Sequence, residues 1–356
     1  MSAVLHVLPH RGGGAETYLD LLEGLEGFEQ ERVALSAARS PLRAAPSIAA
    51  QWPRIALRAR RASVVHAHGD AAAILALPLL GRRPSVWTTH GLHLLRRAQG
   101  PAARAVVAGA RAAVARTSVT LCCSAAERSE LSALVPPALH SRLAVVPNGI
   151  APISPDAGLR AAARAELGLA PGVAAALFLG QLEERKDPLT AVRAARSAVS
   201  GGAPLELLVA GEGPLAAQVR DAAGPGVRAL GFRSDPERLL AAADIFVLPS
   251  RREGISFAVL EAMGHGLAMV VADGPGNPEA VGDAGIVLPA GEVDAFAAAL
   301  GGLAREPERR AALGAAARER VAGEFTVGRL REGVRAAYEA ALGLTAPSRA
   351  AGAARA

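Results

Sequence analysis

Short apolar runs rich in β-branched residues alternate with alanine-rich stretches along almost the whole chain. The runs have the length of buried strands, and the stretches between them can form the helices that connect parallel strands. Each half contains six runs: Val4–Leu8, Arg32–Ser36, Ser63–Ala67, Ser85–Thr89, Val119–Cys123 and Leu143–Val146, then Ala175–Leu179, Glu206–Ala210, Val227–Leu230, Ile245–Leu248, Ala268–Ala272 and Gly285–Leu288. The alternation predicts an α/β protein with parallel sheets covered by helices on both faces.

The pattern is interrupted near the middle of the chain. Pro147-Asn148-Gly149 is a turn sequence, and the proline-rich stretch Ala151–Pro155 follows it. Because 356 residues suffice for two domains, we predict two doubly wound, Rossmann-like domains that face each other across a ligand-binding cleft. The predicted parts are residues 1–150, residues 151–325, a helix over 326–344 packing back toward the first domain, and a flexible tail over 345–356.

Positive charge is concentrated in the first half. Residues 1–150 contain 17 Arg against 9 acidic residues, whereas the rest contains 22 basic against 24 acidic residues. This distribution predicts an anionic partner for the first half. Since no nucleic-acid-binding module is recognisable, we expect an anionic membrane surface or acceptor and no nucleic acid. A helix from Arg96 to Arg116 could rest on anionic lipid, and a solvated arginine-rich face is an equal alternative.

The cysteines and the N-terminus indicate the compartment. Cys122 and Cys123 are adjacent, so a bridge between them would close no useful loop, and reduced, buried thiols are expected. No stretch reaches the ~18 apolar residues of a spanning helix, and Met1–His10 lacks the basic region of a signal peptide. We expect a cytoplasmic protein that contacts the inner face of the cell membrane only peripherally.

The only lysine of the chain follows the first strand of the second half. Lys186 lies in a loop that begins at Gly180, and Pro188 can open the next helix. A lysine at the mouth of an α/β sheet is typical of a diphosphate-binding group, and we favour this interpretation over a solvated surface lysine. After the next strand, Gly211-Glu212-Gly213 allows a tight turn beside a ligand, although a turn without a ligand is as well explained.

Two glutamates flank a third strand–turn–helix segment. Glu253 precedes Gly254-Ile255-Ser256-Phe257, and Glu261 lies on the following helix. Ser256 is a favourable N-cap residue, which would direct the free N–H groups of the helix at a bound diphosphate. Because a carboxylate would repel phosphate, we interpret both glutamates as acceptors for hydroxyl groups, one on a transferred sugar and one on a ribose.

These segments resemble glycosyltransferase family 4. Glu253 to Glu261 is similar to the E-x7-E signature of this retaining, nucleotide-sugar-dependent family, and the resemblance covers nearly the whole chain. It implies the GT-B fold and a hexosyl transfer from a UDP- or GDP-type donor to a cell-envelope glycan, lipid or small-molecule acceptor. The acceptor would attack the face that the diphosphate leaves, and the leaving phosphate would take its proton.

The resemblance also implies roles for individual residues. Glu253 would contact the donor sugar, Glu261 the ribose and Lys186 the diphosphate, and the other donor-binding residues would be Gly13, Gly14, Gln181, Arg185, Gly211, Glu212, Gly254, Ile255, Ser256 and Phe257. The family usually has Arg where this chain has Gln181, and Arg185 could substitute from the same loop. Without an Asp-x-Asp motif, no metal and no cofactor are expected.

The first half has two matching segments. Arg11-Gly12-Gly13-Gly14-Ala15-Glu16 resembles the family's glycine loop, and His90 is the best match to a histidine near its reacting centre. Thus His90, Glu253 and Lys186 are the predicted catalytic residues. His66, His68 and His93 are interpreted as packing groups, with a zinc site as a less favoured alternative.

Gln181 motivates a second functional hypothesis, that the chain is a catalytically weak or inactive nucleotide-sugar-binding protein acting as a partner subunit. A GT-B epimerase or phosphorylase is a third hypothesis. A phosphorylase would need a lysine for pyridoxal phosphate, and the position of Lys186 in a diphosphate-type loop argues against it.

Overall fold

The computed structural model describes residues 1–10, 12–36 and 41–344, and for residues 41–50 only the course of the helix. Arg11 of the predicted glycine loop and the predicted tail over 345–356 lie outside the described residues. The chain forms two compact units. The first comprises Met1–Asn148 and the segment from Val327 onward, and the second comprises Gly149–Thr326.

The first unit is a six-stranded sheet of order β2-β1-β3-β4-β5-β6 in which every described strand pair is parallel. Its strands are β1 (Ser2–His10), β2 (Phe28–Ser36), β3 (Val64–His68), β4 (Ser85–Thr88), β5 (Val119–Cys122) and β6 (Leu143–Val145). Its helices are α1 (Gly14–Leu21), α2 (Pro41–Arg61), α3 (Gly69–Leu75), α4 (His93–Arg97), α5 (Gly100–Arg116), α6 (Ala125–Leu134) and the C-terminal α15 (Val327–Ala341).

The second unit is also a six-stranded sheet, of order β12-β11-β10-β7-β8-β9, and its described pairs are likewise parallel. Its strands are β7 (Ala174–Leu179), β8 (Leu205–Ala210), β9 (Val227–Gly231), β10 (Ile245–Leu248), β11 (Ala268–Ala272) and β12 (Gly285–Leu288). Its helices are α7 (Ala157–Glu166), α8 (Pro188–Ser200), α9 (Ala216–Ala222), α10 (Pro236–Ala242), α11 (Phe257–Gly264), α12 (Asn277–Val281), α13 (Val293–Arg305) and α14 (Pro307–Glu324).

All twelve predicted strands are present, and the predicted α/β class is confirmed. The bounds differ by a few residues: β3 extends through His68, and β5 ends at Cys122. Both cysteines are buried free thiols. The interior strands are almost completely buried because helices cover both faces of each sheet.

The single helix predicted from Arg96 to Arg116 is wrong. The structure has α4 and α5 instead, separated by extended backbone at Ala98 and Gln99. Pro101 stands in the first turn of α5, where its missing N–H costs no hydrogen bond. No helix among the described residues is long and apolar enough to cross a membrane.

The strand order places one switch point in each sheet. The order changes direction between β1 and β3 in the first sheet and between β7 and β10 in the second. Loops that leave the carboxyl ends of such strands diverge to opposite faces and leave a crevice for a ligand. Gly13 follows β1, Lys186 follows β7 and Glu253 follows β10, whereas His90 follows β4 and Gly211 follows β8.

Candidate functional site

A buried ion cluster lies at the switch point of the second sheet. Lys186 Nζ and Arg185 Nη1 each donate to Oε1 of Glu253 at 2.7 Å, and Ser250 Oγ lies 2.8 Å from the same oxygen. Glu253 is 4% exposed and Lys186 8%. A carboxylate this buried needs such partners to offset its lost hydration. The loops after β7 and β10 thus bring two predicted catalytic residues, Lys186 and Glu253, into contact.

One backbone hydrogen bond and one side-chain ion pair also join the two loops of this cluster. Arg251 N donates to the Arg185 carbonyl at 2.9 Å, and Arg251 Nη2 donates to Asp187 Oδ2 at 2.9 Å. Asp187 has a left-handed φ of 49° directly before α8, which begins at Pro188 as predicted. These contacts hold the two cations in place over Glu253.

Gln181 stands at the start of the loop that carries Arg185 and Lys186. Its side chain is exposed directly after Gly180, whereas Arg185 is turned into the cluster. The loop therefore places a second cation beside Lys186 although position 181 carries no charge. Arg185 also donates to Glu183 Oε1 at 2.6 Å, which spreads part of its charge onto that carboxylate.

The loop after β8 closes against the loop after β7. Leu182 N donates to the Glu212 carbonyl at 2.8 Å, and Gly211 has a φ of 147°. A Cβ on Gly211 would lie 1.8 Å from the Gly180 carbonyl oxygen, so no larger residue fits there. A cavity of about 280 Å³ opens beside this turn, lined by Leu182, Gly211, Glu212, Gly213, Ala216, Arg220, Ala229 and Gly231. Sequence reasoning missed Arg220, which lies on α9 with no motif around it.

Helix α11 starts beside the ion cluster. Gly254 and Ile255 are buried, Ser256 occupies the N-cap position and Phe257 is the first helical residue. The Ser256 side chain makes no capping hydrogen bond, which corrects the expected use of its hydroxyl. The first-turn N–H groups are left without the side-chain acceptor that such caps supply. They remain able to bind an anion.

Glu261 lies one turn into α11 and has a different environment from Glu253. No ion pair to Glu261 occurs among the residues that the structure describes. Burial raises the pKa of the Glu261 carboxyl to about 7. A carboxyl group poised in this way gains from hydroxyl donors, which favour its ionised form.

The predicted glycine loop of the first unit follows β1, one of the two strands at its switch point. Gly13 has a φ of 87° and precedes α1, with Gly14 as the first helical residue, and both glycines are exposed. The positive φ at Gly13 is a conformation that other residues rarely adopt. The backbone N–H groups at the start of α1 are thereby accessible to a ligand.

His90 is held at the end of β4 in a left-handed conformation, with a φ of 51°. Its Nε2 lies 3.0 Å from His68 Nδ1, and its ring is nearly perpendicular to that of Tyr18, with centroids 4.8 Å apart. Next to it, Thr89 Oγ1 donates to the buried Glu127, which also accepts from Cys123 N at 2.9 Å. Sequence reasoning did not identify Glu127 as a candidate residue, because it lies in the first turn of an ordinary helix.

Behind His90 lies a buried histidine cluster formed by His6, His66 and His68. His6 Nδ1 is 2.9 Å from His68 Nε2, and His66 bonds to Tyr338 Oη at 2.7 Å and to Thr88 Oγ1 at 2.8 Å. His66 and His68 are fully buried, as packing groups would be, whereas His93 is exposed. Sequence reasoning missed His6, because only the β1–β3 register places it opposite His66.

This histidine cluster is also the one group of potential metal ligands found among the described residues. One ring nitrogen from each of His6, His66 and His68 lies within 4.8 Å of the others. Burial lowers the pKa of all three, so they are neutral, as metal ligands must be. Hydrogen bonds already engage these rings, and a bound metal ion would have to replace some of them.

Two family models match the chain. Residues 10–152 match the model described as Glycosyltransferase Family 4, and residues 174–306 match Glycosyl transferases group 1. D-inositol 3-phosphate glycosyltransferase of Nocardia farcinica is 34% identical over 219 residues, which are 57% of this chain and 48% of that protein. A GDP-mannose-dependent mannosyltransferase of Corynebacterium glutamicum is 29% identical over 205 residues, 52% of this chain and 53% of that protein. The chain thus spans about half the length of these relatives.

Solved structures show the same fold. Anabaena Alr3699/HepE in complex with UDP-glucose superposes with a TM-score of 0.78 at 18% identity, over 94% of this chain and 98% of that one. Sucrose-phosphate synthase from Thermosynechococcus elongatus superposes with a TM-score of 0.79 at 18% identity, over 97% and 100%. The chain belongs to glycosyltransferase family 4 and has the GT-B fold.

Proposed function

We propose that this protein is a retaining hexosyltransferase that uses a UDP- or GDP-type sugar and transfers the sugar to a cell-envelope glycan, lipid or small-molecule acceptor. The observation that carries the proposal is the buried cluster in which Lys186 and Arg185 share one oxygen of Glu253. HepE, which has the same fold, binds UDP-glucose, and the matched relatives are named as glycosyltransferases.

The cluster suits a diphosphate because it gathers two cationic side chains beside a helix N-terminus. Lys186 and Arg185 share Oε1 of Glu253, and Arg185 also pairs with Glu183, so these ion pairs hold two cationic donors in fixed positions. The N-terminus of α11 adds N–H donors and the positive end of a helix dipole next to these side chains. As the glycosidic bond breaks, negative charge grows on the leaving diphosphate, and fixed donors at this position stabilise it.

Glu253 and Glu261 would act as hydroxyl acceptors on the two sides of that diphosphate. A donor sugar hydroxyl bound to Glu253 is fixed against a side chain that its own ion pairs hold still. Glu261, with its pKa raised by burial to about 7, gains from ribose hydroxyls that stabilise its carboxylate. The cavity beside Gly211, with Glu212 and Arg220 in its lining, has room for a nucleobase.

In the reaction, the acceptor oxygen forms a bond to the anomeric carbon on the face from which the diphosphate departs. The departing phosphate oxygen takes the acceptor proton, so no second carboxylate is needed as a base. Lys186 and Arg185 stabilise the diphosphate, and His90 and the Gly13–Gly14 backbone are the proposed contributions of the first unit. No metal or other cofactor is invoked in this proposal.

Exposed arginines on α4 and α5 support a peripheral contact of the first unit with anionic lipid. Arg97, Arg104 and Arg116 are exposed, whereas Asp70 on α3, the single acidic residue of positions 39–116, is buried under backbone N–H donors. This contact would place the protein at the inner face of the cell membrane, close to a lipid-linked acceptor.

Binding and turnover, measured together, test the proposed function. Thermal unfolding is followed with UDP-, GDP- and ADP-sugars, and release of the nucleoside diphosphate is then measured with and without acceptors. We expect one donor class to raise the Tm and to be hydrolysed slowly even without an acceptor. Arg318→Ala, an exposed change on α14, is the control that should behave as the wild type.

The same experiment separates the alternative. Binding without any release of diphosphate would favour a catalytically inactive partner subunit. If none of the three donor classes changes the Tm, the assignment of the second unit to nucleotide-sugar binding is wrong.

A further inference from the structure

Three imidazoles form a continuous hydrogen-bonded chain from the interior of the first unit to His90. His6 Nδ1 lies 2.9 Å from His68 Nε2, and His68 Nδ1 lies 3.0 Å from His90 Nε2. The ring centroids are 5.1 and 5.2 Å apart, so the facing nitrogens point almost straight at each other. This is the geometry of N–H···N hydrogen bonds.

Proton counting leaves this chain only two states. Each neutral imidazole carries one N–H and one bare nitrogen, and each of the two hydrogen bonds needs one N–H. The third proton must then sit at one end of the chain, either on His90 Nδ1 or on His6 Nε2. All three rings are neutral near pH 7, because burial lowers the pKa of each.

The buried end decides between the two states. His6 Nε2 is buried without a hydrogen-bond partner among the described residues. A buried N–H without an acceptor is rarer in proteins than an under-used acceptor. Arg32 lies beside His6 in the β1–β2 register, and its positive charge favours a lone pair over an N–H on His6. Asp20, which pairs with Arg32 at 2.6 Å, is largely exposed and offsets this only in part.

We infer that His6 and His68 fix His90 as the Nδ1–H tautomer, so that His90 presents a hydrogen-bond donor at the ring nitrogen that is not bonded to His68. His6 donates to His68, and His68 donates to His90 Nε2. His6 and His68 are thus positioning residues for His90. If His90 Nδ1 accepted a proton, one of two things would follow. The His90 ring would become a buried cation, or protons would shift along both hydrogen bonds and leave an N–H on His6 Nε2.

Other groups packed around the chain are compatible with this direction. His66 bonds to Tyr338 and Thr88 and is not a member of this chain of three imidazoles. Tyr18 makes edge-type ring contacts with both His68 and His90. The inference deepens the proposed function, because a fixed donor suits an oxygen of the sugar or its acceptor and makes His90 unsuitable as a base.

Nuclear magnetic resonance of the full chain with 15N-labelled histidine tests the inference without any substrate. Correlation of ring nitrogens with ring protons distinguishes a protonated from a bare nitrogen, and His90→Gln assigns the His90 signals among the eight histidines. At pH 7.5, chosen at roughly one unit above the ordinary histidine pKa, we expect Nδ1 of His90, His68 and His6 to be protonated and Nε2 to be bare.

Two variants test the direction of hydrogen-bond donation from His6 through His68 to His90. His68→Leu removes the donor to His90, and His6→Leu removes the donor to His68; each should return His90 to a mixture of tautomers. His66→Gln, a change outside the chain, should leave the His90 signals as they are. A wild-type His90 protonated on Nε2 overturns the inference, as does a His68→Leu variant that stays folded and keeps the Nδ1–H signal.

This measurement is independent of catalysis. If the tautomer is as inferred but no nucleotide-sugar is bound or cleaved, the proposed function is wrong and the inferred tautomer of His90 is confirmed. If turnover is found but the tautomer differs, the function stands and His90 has another role.

Discussion

Lys186 Nζ lies 2.7 Å from Glu253 Oε1, and Arg185 Nη1 lies at the same distance from that same oxygen. The three side chains come from the loops after β7 and β10, the strands on either side of the switch point. Because two cations share one buried carboxylate, removing the carboxylate and removing a cation should have different consequences. This asymmetry gives the sharpest test of the donor site.

Glu253→Gln should lower both activity and stability. The variant removes the anion that Lys186 and Arg185 share and leaves Arg185 with Glu183 as its ion-pair partner, which should cost about 2 kcal/mol in the free energy of unfolding. Transfer should fall by about 10²-fold or more, since a polar contact to the reacting sugar is lost. Added nucleoside diphosphate should raise the Tm of this variant more than that of the wild type, because the ligand replaces the missing negative charge.

Lys186→Ala should lower the rate of sugar transfer strongly and the stability of the fold only slightly. Glu253 keeps Arg185 and Ser250 as partners, so the loss of stability should stay below that of Glu253→Gln. We expect kcat to fall by about 10²-fold or more, as charge on the leaving diphosphate is less well stabilised. The check is single-turnover release of diphosphate next to the Arg318→Ala control. Retained turnover in Lys186→Ala would show that the diphosphate is bound elsewhere.

An arginine at position 181 should compensate for the loss of Arg185. If Arg185 supplies the second cation, Arg185→Gln should reduce kcat by about 10-fold to 10²-fold, and adding Gln181→Arg to that variant should restore part of the loss. The four proteins of this cycle are compared by kcat with one donor at saturation. Full activity of Arg185→Gln would mean that Lys186 alone serves the leaving group.

Donor binding should depend on pH through Glu261. Its pKa is raised to about 7 by burial, so the carboxylate that accepts ribose hydroxyls is present above pH 7 and is lost as pH falls. Affinity for an intact nucleotide-sugar, whose diester phosphates keep their charge, should fall by up to about tenfold per unit below pH 7. Calorimetric titration between pH 5.5 and 8.5, on the order of 1.5 units either side of that pKa, checks this. Glu261→Gln should bind more weakly and without this pH dependence; an unchanged dependence in the variant would assign it to another group.

The buried histidines should make the fold sensitive to acid. The pKa values of His6 and His90 are lowered to about 3, and those of His66 and His68 are also lowered, in each case chiefly by burial. The unfolded chain takes up protons near pH 6.5 while the folded chain does not, so the free energy of unfolding falls as pH drops below 6.5. The expected loss is about 1.4 kcal/mol per histidine and pH unit.

His6→Phe isolates one such contribution. Its free energy of unfolding, measured in denaturant between about pH 4.5 and about pH 6, below the unfolded histidine pKa of about 6.5, should fall less steeply than that of the wild type by about 1.4 kcal/mol per pH unit. Other titrating groups are common to both proteins and cancel in the difference. Equal slopes would mean that His6 is protonated in the folded protein or already neutral in the unfolded chain.

Much of the architecture follows from local pattern. Strands such as Ala174–Leu179 and Ala268–Ala272 are continuous apolar runs that only a sheet covered on both faces can bury. Lys186, Glu253 and Glu261 could be named because they follow such strands within a recognisable loop or helix start. Where local signals were ambiguous, as between Arg96 and Arg116, the predicted single helix was wrong.

The sequence alone determined the α/β class, the twelve strands and the loops that carry the candidate donor-binding residues, because alternation of apolar runs and glycine or proline turns is a local property. Only the tertiary structure decided that Arg185 joins Lys186 on one oxygen of Glu253, and that His6 and His68 support His90. Strand order and register bring these residues together over 22 to 68 positions of sequence. Contacts over such separations depend on how the sheet is assembled and leave no periodic trace in the chain.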